Sequence, residues 1–453
     1  MSNTSLNMKK NYLLLAAVVL SGAMLSCSSS EDDVDLGDAK TVVNMLSDPI
    51  PIQLTTEQTI FANDNNQFTL NFLKTVNETD RSGGSFIYSP LSITYVLGMV
   101  NDAATGQTER ELEQTLGFHE GGIQAVNDYC KKLIDGLPKV DSKVTLNIAN
   151  AIFLNKDYTL KPQFEQDMQT YYAAKAEALD FKAPGTLDHI NGWCNEKTNG
   201  MIPSILDDID PAMVSYLLNA IYFKADWASK FDEKNTRSET FTTESGSTQL
   251  PMMHQNVLIR YNKNDTYSAI DMPYGNNFWS MTVFLPEEGK TTDDIIDLLA
   301  QMGWSKDYII DNKQYDHLTP LYGAMPYEVD LKLPRFETES DTDTPTLKAE
   351  GGLISLMQKM GIRLAFDPVK AEIPNMCDVP VWIAMMRQKA KIKVSEEGSE
   401  AVAVTVAGVK EKYMISNPPE YPKATFHANR PFVYVIREQS SGVILFVGKF
   451  TGA

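Results

Sequence analysis

The sequence predicts an α+β fold in one large domain, and three observations carry that prediction. Apolar residues at helical spacing dominate the first third of the chain. Apolar runs of strand length dominate the middle and the end. Helices come first and strands follow with helices among them, and no segment repeats, which argues α+β rather than an alternating β-α-β fold. The chain has 453 residues, 22% charged and 43% hydrophobic, an ordinary globular balance. Its formal net charge of −19 argues against non-specific binding to nucleic acid, because phosphate repels such a surface.

The first residues stand apart from the fold. Lys9 and Lys10 precede the apolar run "YLLLAAVVLSGAML", which ends at Ser26-Cys27. A short basic segment and a short apolar run make a secretory leader over residues 1–26, and the run is too short for a confident membrane span. A cysteine directly after it resembles the lipobox of bacterial lipoproteins, which implies lipidation at Cys27. Met24 and Leu25 depart from the commoner residues of that motif, and an ordinary soluble leader is the alternative. The acidic run "SSSEDDVD" behind Cys27 reads as a solvated tether and also resembles surface-export signals of some Gram-negative lipoproteins. Residues 27–55 are expected to be tether and 56–453 the folded domain. The localisation expected from this is exported and lipid-anchored to the cell envelope, with the outer membrane as the expected site and surface exposure as one option, the sequence itself not giving the membrane face.

Within the domain, Phe68, Phe72 and Val76 fall on one face of a helix. In "YSPLSITYVLGMVNDAATGQT", Ser89 can cap a helix with Pro90 in its first turn, and Ile93, Val96, Leu97 and Val100 form its stripe. In "TERELEQTLGF", Thr108 and Glu111 have the spacing of a capping box. The runs "YLLNAIYF" (216–223) and "WSMTVFLP" (279–286) predict strands buried on both faces. "VDLKLPRF" (329–336) alternates and predicts a half-buried strand. "PFVYVIREQSSGVILFVGKF" predicts two strands joined by a Ser-Ser-Gly turn. Cys130, Cys194 and Cys377 are odd in number and widely spaced, which makes no disulfide framework, and they read as small buried hydrophobes.

Catalytic signatures are missing. The five histidines His119, His189, His254, His317 and His427 form no H-E-x-x-H, and no nucleophile elbow, P-loop or dinucleotide fingerprint occurs. The sequence therefore predicts no enzyme, no metal and no cofactor. One segment is unusual. "SEEGSEAVAVTVAG" (395–408) alternates small and β-branched residues like a strand, yet "VKEKYMISNPPEYPKAT" behind it reads as a long exposed loop.

An ordered series of motifs from about residue 58 to the C-terminus resembles the serpin family of protease inhibitors. It comprises "SPLSI" (89–93), "NDAATGQTERELEQTLGF", "INGWCNEKTNGMI" (190–202), "LLNAIYFKADW" (217–227), "MPYG" with "VFLPEEG", "LPRF" (333–336), "VSEEGSEAVAVT" (394–405) and "FHANRPFVYVIRE…GVILFVGKF" (426–450). The resemblance implies a large central, mostly antiparallel sheet, further sheets, about nine helices and an exposed reactive loop. It implies suicide inhibition of serine proteases, with papain-like cysteine proteases also open. The loop is cleaved, the acyl-enzyme is trapped, and the loop inserts into the central sheet, a strand addition that is itself a standard illustration of this physics. The hinge it implies comprises Glu397, Gly398, Ser399, Glu400, Ala401, Ala403 and Thr405. Alternate residues from Ser399 are small and fit the core face of a sheet. Ser89, Ser92, Asn191 and Asn219 match the family's sheet-opening cluster, and Trp227 the tryptophan below the insertion point. The family often has a histidine where this chain has Gln388, which retains donor and acceptor but not the pH response. Family spacing puts the reactive bond at Lys412–Tyr413, for a trypsin-like target. Lys410 and Met414 are alternatives, and cleavage after Tyr413 or Met414 would suit chymotrypsin- or elastase-like enzymes. A monomer is implied. A non-inhibitory serpin used as a binding module, and a surface enzyme, are the competing readings.

Overall fold

The computed structural model describes residues 49–119, 121–304, 326–399 and 420–452. The packed chain begins before residue 56. The Ile50 amide donates to the Val140 carbonyl at 2.8 Å, and buried Ile52 donates to Ser440 Oγ at 2.9 Å. Residues 50–55, which composition groups with the tether, therefore belong to the fold. Helix α1 (Thr56–Thr79) starts at a capping box between Thr55 and Gln58 and buries Phe68, Phe72 and Val76.

Helix α2 (Pro90–Ala103) is buried almost all round. Ser89 stands at its N-cap, but its hydroxyl donates to the Leu445 carbonyl at 2.8 Å and does not cap. The capping box expected at Thr108 is absent. Helix α3 (Gly106–Leu116) starts three residues earlier, with Thr105 at its N-cap. Thr108 Oγ1 accepts from the Glu372 amide, and Glu111 Oε2 accepts from the amides of Arg363 and Leu364. Both polar side chains bind a distant segment instead of their own helix end. Helices α4 (Gly122–Gly136), α5 (Pro162–Tyr171), α6 (Thr186–Lys197), α7 (Thr292–Met302), α8 (Pro345–Ala349) and α9 (Gly352–Met360) complete nine α-helices among the described residues.

The strands form two sheets. The larger runs β1 (Phe86–Tyr88), β15 (Ile444–Phe450), β14 (Phe432–Glu438), β8 (Trp279–Pro286), β7 (Tyr267–Tyr274), β6 (Gly246–Lys263), β9 (Tyr327–Pro334) and β13 (Lys423–His427), with β5 (Arg237–Thr243) on β6. Strands β8, β14 and β15 are buried at every residue, as apolar runs without alternation require. The second sheet runs β10 (Phe336–Asp341), β11 (Lys389–Val394), β12 (Gly398–Ser399), β4 (Ser215–Asp226), β2 (Val144–Asn155) and β3 (Lys175–Leu179). All of its pairings are antiparallel except β2 with β3. The stretch read as one strand over 329–336 is two: β9 ends at Pro334 and β10 begins at Phe336 in the other sheet, so Arg335 sits at the crossing. Cys130, Cys194 and Cys377 are buried free thiols, and burial pushes Cys130 up to about 12. Among the described residues no helix is long and apolar enough to cross a membrane.

Candidate functional site: the hinge turn and the slot below it

Strand β11 leads into the turn Ser395–Gly398, and the chain returns as the two-residue strand β12. Val394 pairs with Ser399 on one side, while Gly398 and Ser399 pair with Asp226 and Ala225 on the other. Only glycine fits at 398. Its φ is +156°, and a Cβ there would lie 2.1 Å from the Ala225 carbonyl oxygen.

The turn is held from several directions. Trp227 donates its backbone N–H to the Glu397 carbonyl at 2.8 Å and its indole N–H to the Ser395 carbonyl at 2.9 Å. The Phe231 amide donates to the Glu396 carbonyl at 3.0 Å. The Trp227 ring stacks on Tyr274, with centroids 4.3 Å apart and planes 11° from parallel. The Tyr274 hydroxyl lies 2.5 Å from Ser399 Oγ in the core. Burial raises Tyr274's pKa far above the ordinary phenol value, so it stays a neutral hydroxyl.

Two ion pairs add charge to this frame. The Glu396 side chain is buried and accepts from Arg335 Nε at 3.0 Å, Arg335 Nη2 at 2.5 Å and Thr236 Oγ1 at 2.6 Å. Burial opposes its ionisation, yet Arg335 and Thr236 hold its carboxyl below the usual range. Lys230 bridges Glu397 and Asp226, the latter at 2.8 Å.

Further down the sheet, Ser89 and Gln388 clasp each other. The Ser89 amide donates to Gln388 Oε1 at 3.2 Å, and Gln388 Nε2 donates to the Ser89 carbonyl at 2.7 Å. The Ser92 amide donates to that same carbonyl at 3.0 Å. Thr342 brackets the Gln388 backbone, its hydroxyl accepting from the amide at 2.9 Å and its own amide donating to the carbonyl at 3.0 Å. Asn219 on β4 donates to Asn150 Oδ1 at 2.9 Å, while its own Oδ1 is buried with no partner among the described residues. Asn191 does not join this group. Its Oδ1 accepts from the amides of Ile205 and Leu206, and its Nδ2 donates to the Leu206 carbonyl, so it anchors the chain after α6.

A cavity of about 260 Å³ lies between β4 and the chain leading into β11. Residues 212–223 line one rim and 380–392 the other, each without a break, and Ser89, Ser92, Asn219 and Gln388 all border it. Below Ala225, the β4 edge facing away from β2 has no strand partner among the described residues, and neither does the matching edge of β11 below Val394. Both rims run antiparallel to β12, so they are parallel to each other and one strand-width apart. Such facing edges offer unpaired backbone donors and acceptors to a single additional strand.

Glu397, Gly398, Ser399 and Trp227 thus lie at the head of this slot, and Ser89, Ser92, Asn219 and Gln388 along it. Cys27, Glu400, Ala401, Ala403, Thr405, Lys410, Lys412, Tyr413 and Met414 lie outside the described residues. Sequence reasoning missed Arg335, Thr236, Lys230, Tyr274 and Thr342. Arg335 and Tyr274 fall inside quoted motifs, but nothing local signals that they meet a turn 61 and 125 residues away. Among the described residues no group of three or more His, Cys, Asp or Glu is placed to hold a metal ion.

Residues 63–452 match the family model described as Serpin (serine protease inhibitor). Human serpin B11 is 29% identical over 85% of this chain and 97% of its own length. Human leukocyte elastase inhibitor is 29% identical over 85% of this chain and 98% of its own. The native crystal structure of tengpin, a thermophilic serpin, superposes with a TM-score of 0.72 at 25% identity, covering 88% of this chain and 95% of tengpin.

Proposed function

The chain belongs to the serpin family, and from that premise we propose that it is a suicide inhibitor of serine proteases, its reactive loop lying between Ser399 and β13. The observation that carries this reading is the slot: two parallel strand edges one strand apart, headed by a hinge in which Ser399 already pairs with both rims and Gly398 with the β4 rim. Relatives such as the leukocyte elastase inhibitor bear inhibition in their names.

The pairing at Ser399, extended one residue at a time, defines the inserted register. Opposite residues of an antiparallel ladder share a face. Residue 401 falls opposite Phe223 and Ile392, 403 opposite Ile221 and Ala390, and 405 opposite Asn219 and Gln388. Those positions hold Ala401, Ala403 and Thr405, small enough for the core face. On the outer face Glu400 falls between Lys224 and Lys393, an attractive pairing of charges. Val402, Val404 and Val406 suit a strand.

The chemistry belongs to the protease. Its serine oxygen bonds to the carbonyl carbon of the reactive residue. The C–N bond to the next residue breaks, and the hydroxyl proton ends on the leaving amine. An ester and a new N-terminus remain. Insertion then carries the tethered protease to the foot of the slot before water reaches the ester, and the inhibitor is consumed. A fold that works this way is protected by a barrier and not by equilibrium. The leader and Cys27 support a lipid anchor at the cell envelope, with the polar run up to residue 49 as its tether.

The test is incubation with trypsin, chymotrypsin, elastase and papain followed by denaturing gels. The expected product is an SDS-stable complex with at least one serine protease. Loop cleavage by all four with no complex would discard inhibition in favour of the binding module.

A further inference from the structure

A second cavity, of about 220 Å³, lies near the point where β6 passes from pairing with β9 to pairing with β7. Its wall comes from the ends of β6, β7 and β8, from β13, and from the link between β13 and β14. It shares no residue with the slot. Arg430, in that link, is half-buried. Its Nε donates to the Pro286 carbonyl at 3.1 Å, its Nη2 donates to the same oxygen, and its Nη1 donates to Asn429 Oδ1 at 3.4 Å. A guanidinium has five N–H donors. One on each terminal nitrogen therefore has no partner among the described residues. No described carboxylate forms an ion pair with Arg430 either. Glu287, the acid whose charge it feels, is bonded to Lys263 at 2.7 Å. Burial draws the pKa of Arg430 down from the usual guanidinium value, as desolvation does to a cation short of counter-charge.

The rest of the wall is rich in donors. Ser268 on β7 is buried, Thr425 stands on β13, and neither hydroxyl has a hydrogen-bond partner among the described residues. The one carboxylate on the wall is Glu287, already held by Lys263, and His427 Nε2 is engaged with Asp330 at 3.0 Å. The volume far exceeds the ~10–15 Å³ that a single water needs. We propose that this cavity binds a small oxyanion, a phosphate, a sulfate or a carboxylate, taken end-on by the Arg430 fork and bonded by the Ser268 and Thr425 hydroxyls. A planar fork with one N–H on each tip suits two oxygens of one ligand. The ligand joins β7, β13 and the link. Strand β13 gains most, because among the described residues it pairs on one edge only, with β9. The site stands whether or not the chain traps proteases.

The full-length protein and its Arg430→Gln and Thr425→Val variants are titrated by calorimetry with inorganic phosphate, sulfate and acetate. Ionic strength is held constant with sodium chloride, and thermal unfolding is followed in parallel. The expected result is saturable one-site binding of at least one of the three by the parent. The melting temperature should rise by about 2 °C or more at saturation. Affinity should fall about tenfold or more in Arg430→Gln and roughly threefold or more in Thr425→Val. Saturation by phosphate or sulfate identifies the ligand class as tetrahedral, and saturation by acetate alone identifies it as a carboxylate. No saturable binding of any of the three by the parent overturns the proposal, and so does equal affinity in Arg430→Gln. That variant also loses the bonds to Pro286, so if it does not fold, Thr425→Val decides: affinity equal to the parent's overturns the site.

Discussion

At the scale of single residues, one carboxyl stands out as working against the native fold. Asp102 lies in the last turn of α2, where the carbonyl end of the helix repels negative charge. It is 7% exposed. Asn127 donates to it at 2.5 Å and is itself bonded by Tyr172. Burial pushes its pKa from 3.8 to about 6, with Asp167 adding repulsion and the Asn127 bond opposing. Because the folded value is the higher one, the fold is favoured while Asp102 is protonated. That advantage is complete below about pH 4, declines as pH rises, and is gone above about pH 6, roughly 3 kcal/mol in all. Asp102→Asn keeps the acceptor for Asn127 and removes the charge. It should unfold more slowly and at higher temperature than the parent at pH 7.5, and the two should converge near pH 4. Thermal unfolding across that range checks this, and parallel curves would mean that Asp102 carries no such load. Residue-scale chemistry of this kind was poorly legible in the sequence. Thr108 and Glu111 have ideal capping spacing, yet both accept from backbone amides of the chain at 363–372, a pairing between distant segments that local spacing does not show. Asn191 misleads in the same way, since its motif fixes the helix but not the partner of its amide.

At the scale of elements, the sequence told more. Helix α2 and the buried strands β8, β14 and β15 are all visible as spacing, because period and apolarity are local properties. The junction at Arg335 was not visible: one alternating run supplies strands to two sheets, and alternation does not change where the sheet does. That junction delivers Arg335 to Glu396 and ties the hinge turn to β10. The slot between β4 and β11 likewise depends on pairing between distant segments. Its register makes a sharp demand at residue 405, which must face Asn219, whose Oδ1 has no described partner, and the Ser89–Gln388 clasp. A threonine hydroxyl can donate there. Thr405→Arg places a long cation at the same point, and an unpaired buried charge costs several kcal/mol, roughly. The variant should still be cleaved by the target protease, now as a substrate, with the covalent complex lost. If it traps protease as well as the parent does, the register is wrong by at least one residue, since a one-residue slip turns the side chain to the outer face.

At the scale of the whole molecule, the two sheets are unequally finished. The larger has β8 and β14 bonded on both edges and buried throughout. The second bears two strand edges that face each other below a two-residue plug, and an edge left unpaired is stabilisation not yet collected. Strand insertion would complete two ladders at once, each added bond worth about 1 kcal/mol net, and would bury Ala401, Ala403 and Thr405 on the core face as well. About ten such contributions raise the unfolding temperature of a domain this large by at least ~10 °C. Cutting the loop with a protease that is not trapped should therefore yield a protein more heat-resistant than the uncut one. Cleavage alone has no reason to stabilise a chain, because a nick frees backbone that was tethered. The same cut made in Thr405→Arg supplies the control: the bond is broken, the strand is barred, and the gain should vanish. Differential scanning of the four samples reads this directly. A cleaved parent that melts no higher than the intact one would mean that the slot is never filled, and a serpin fold with an unfilled slot can bind but cannot trap.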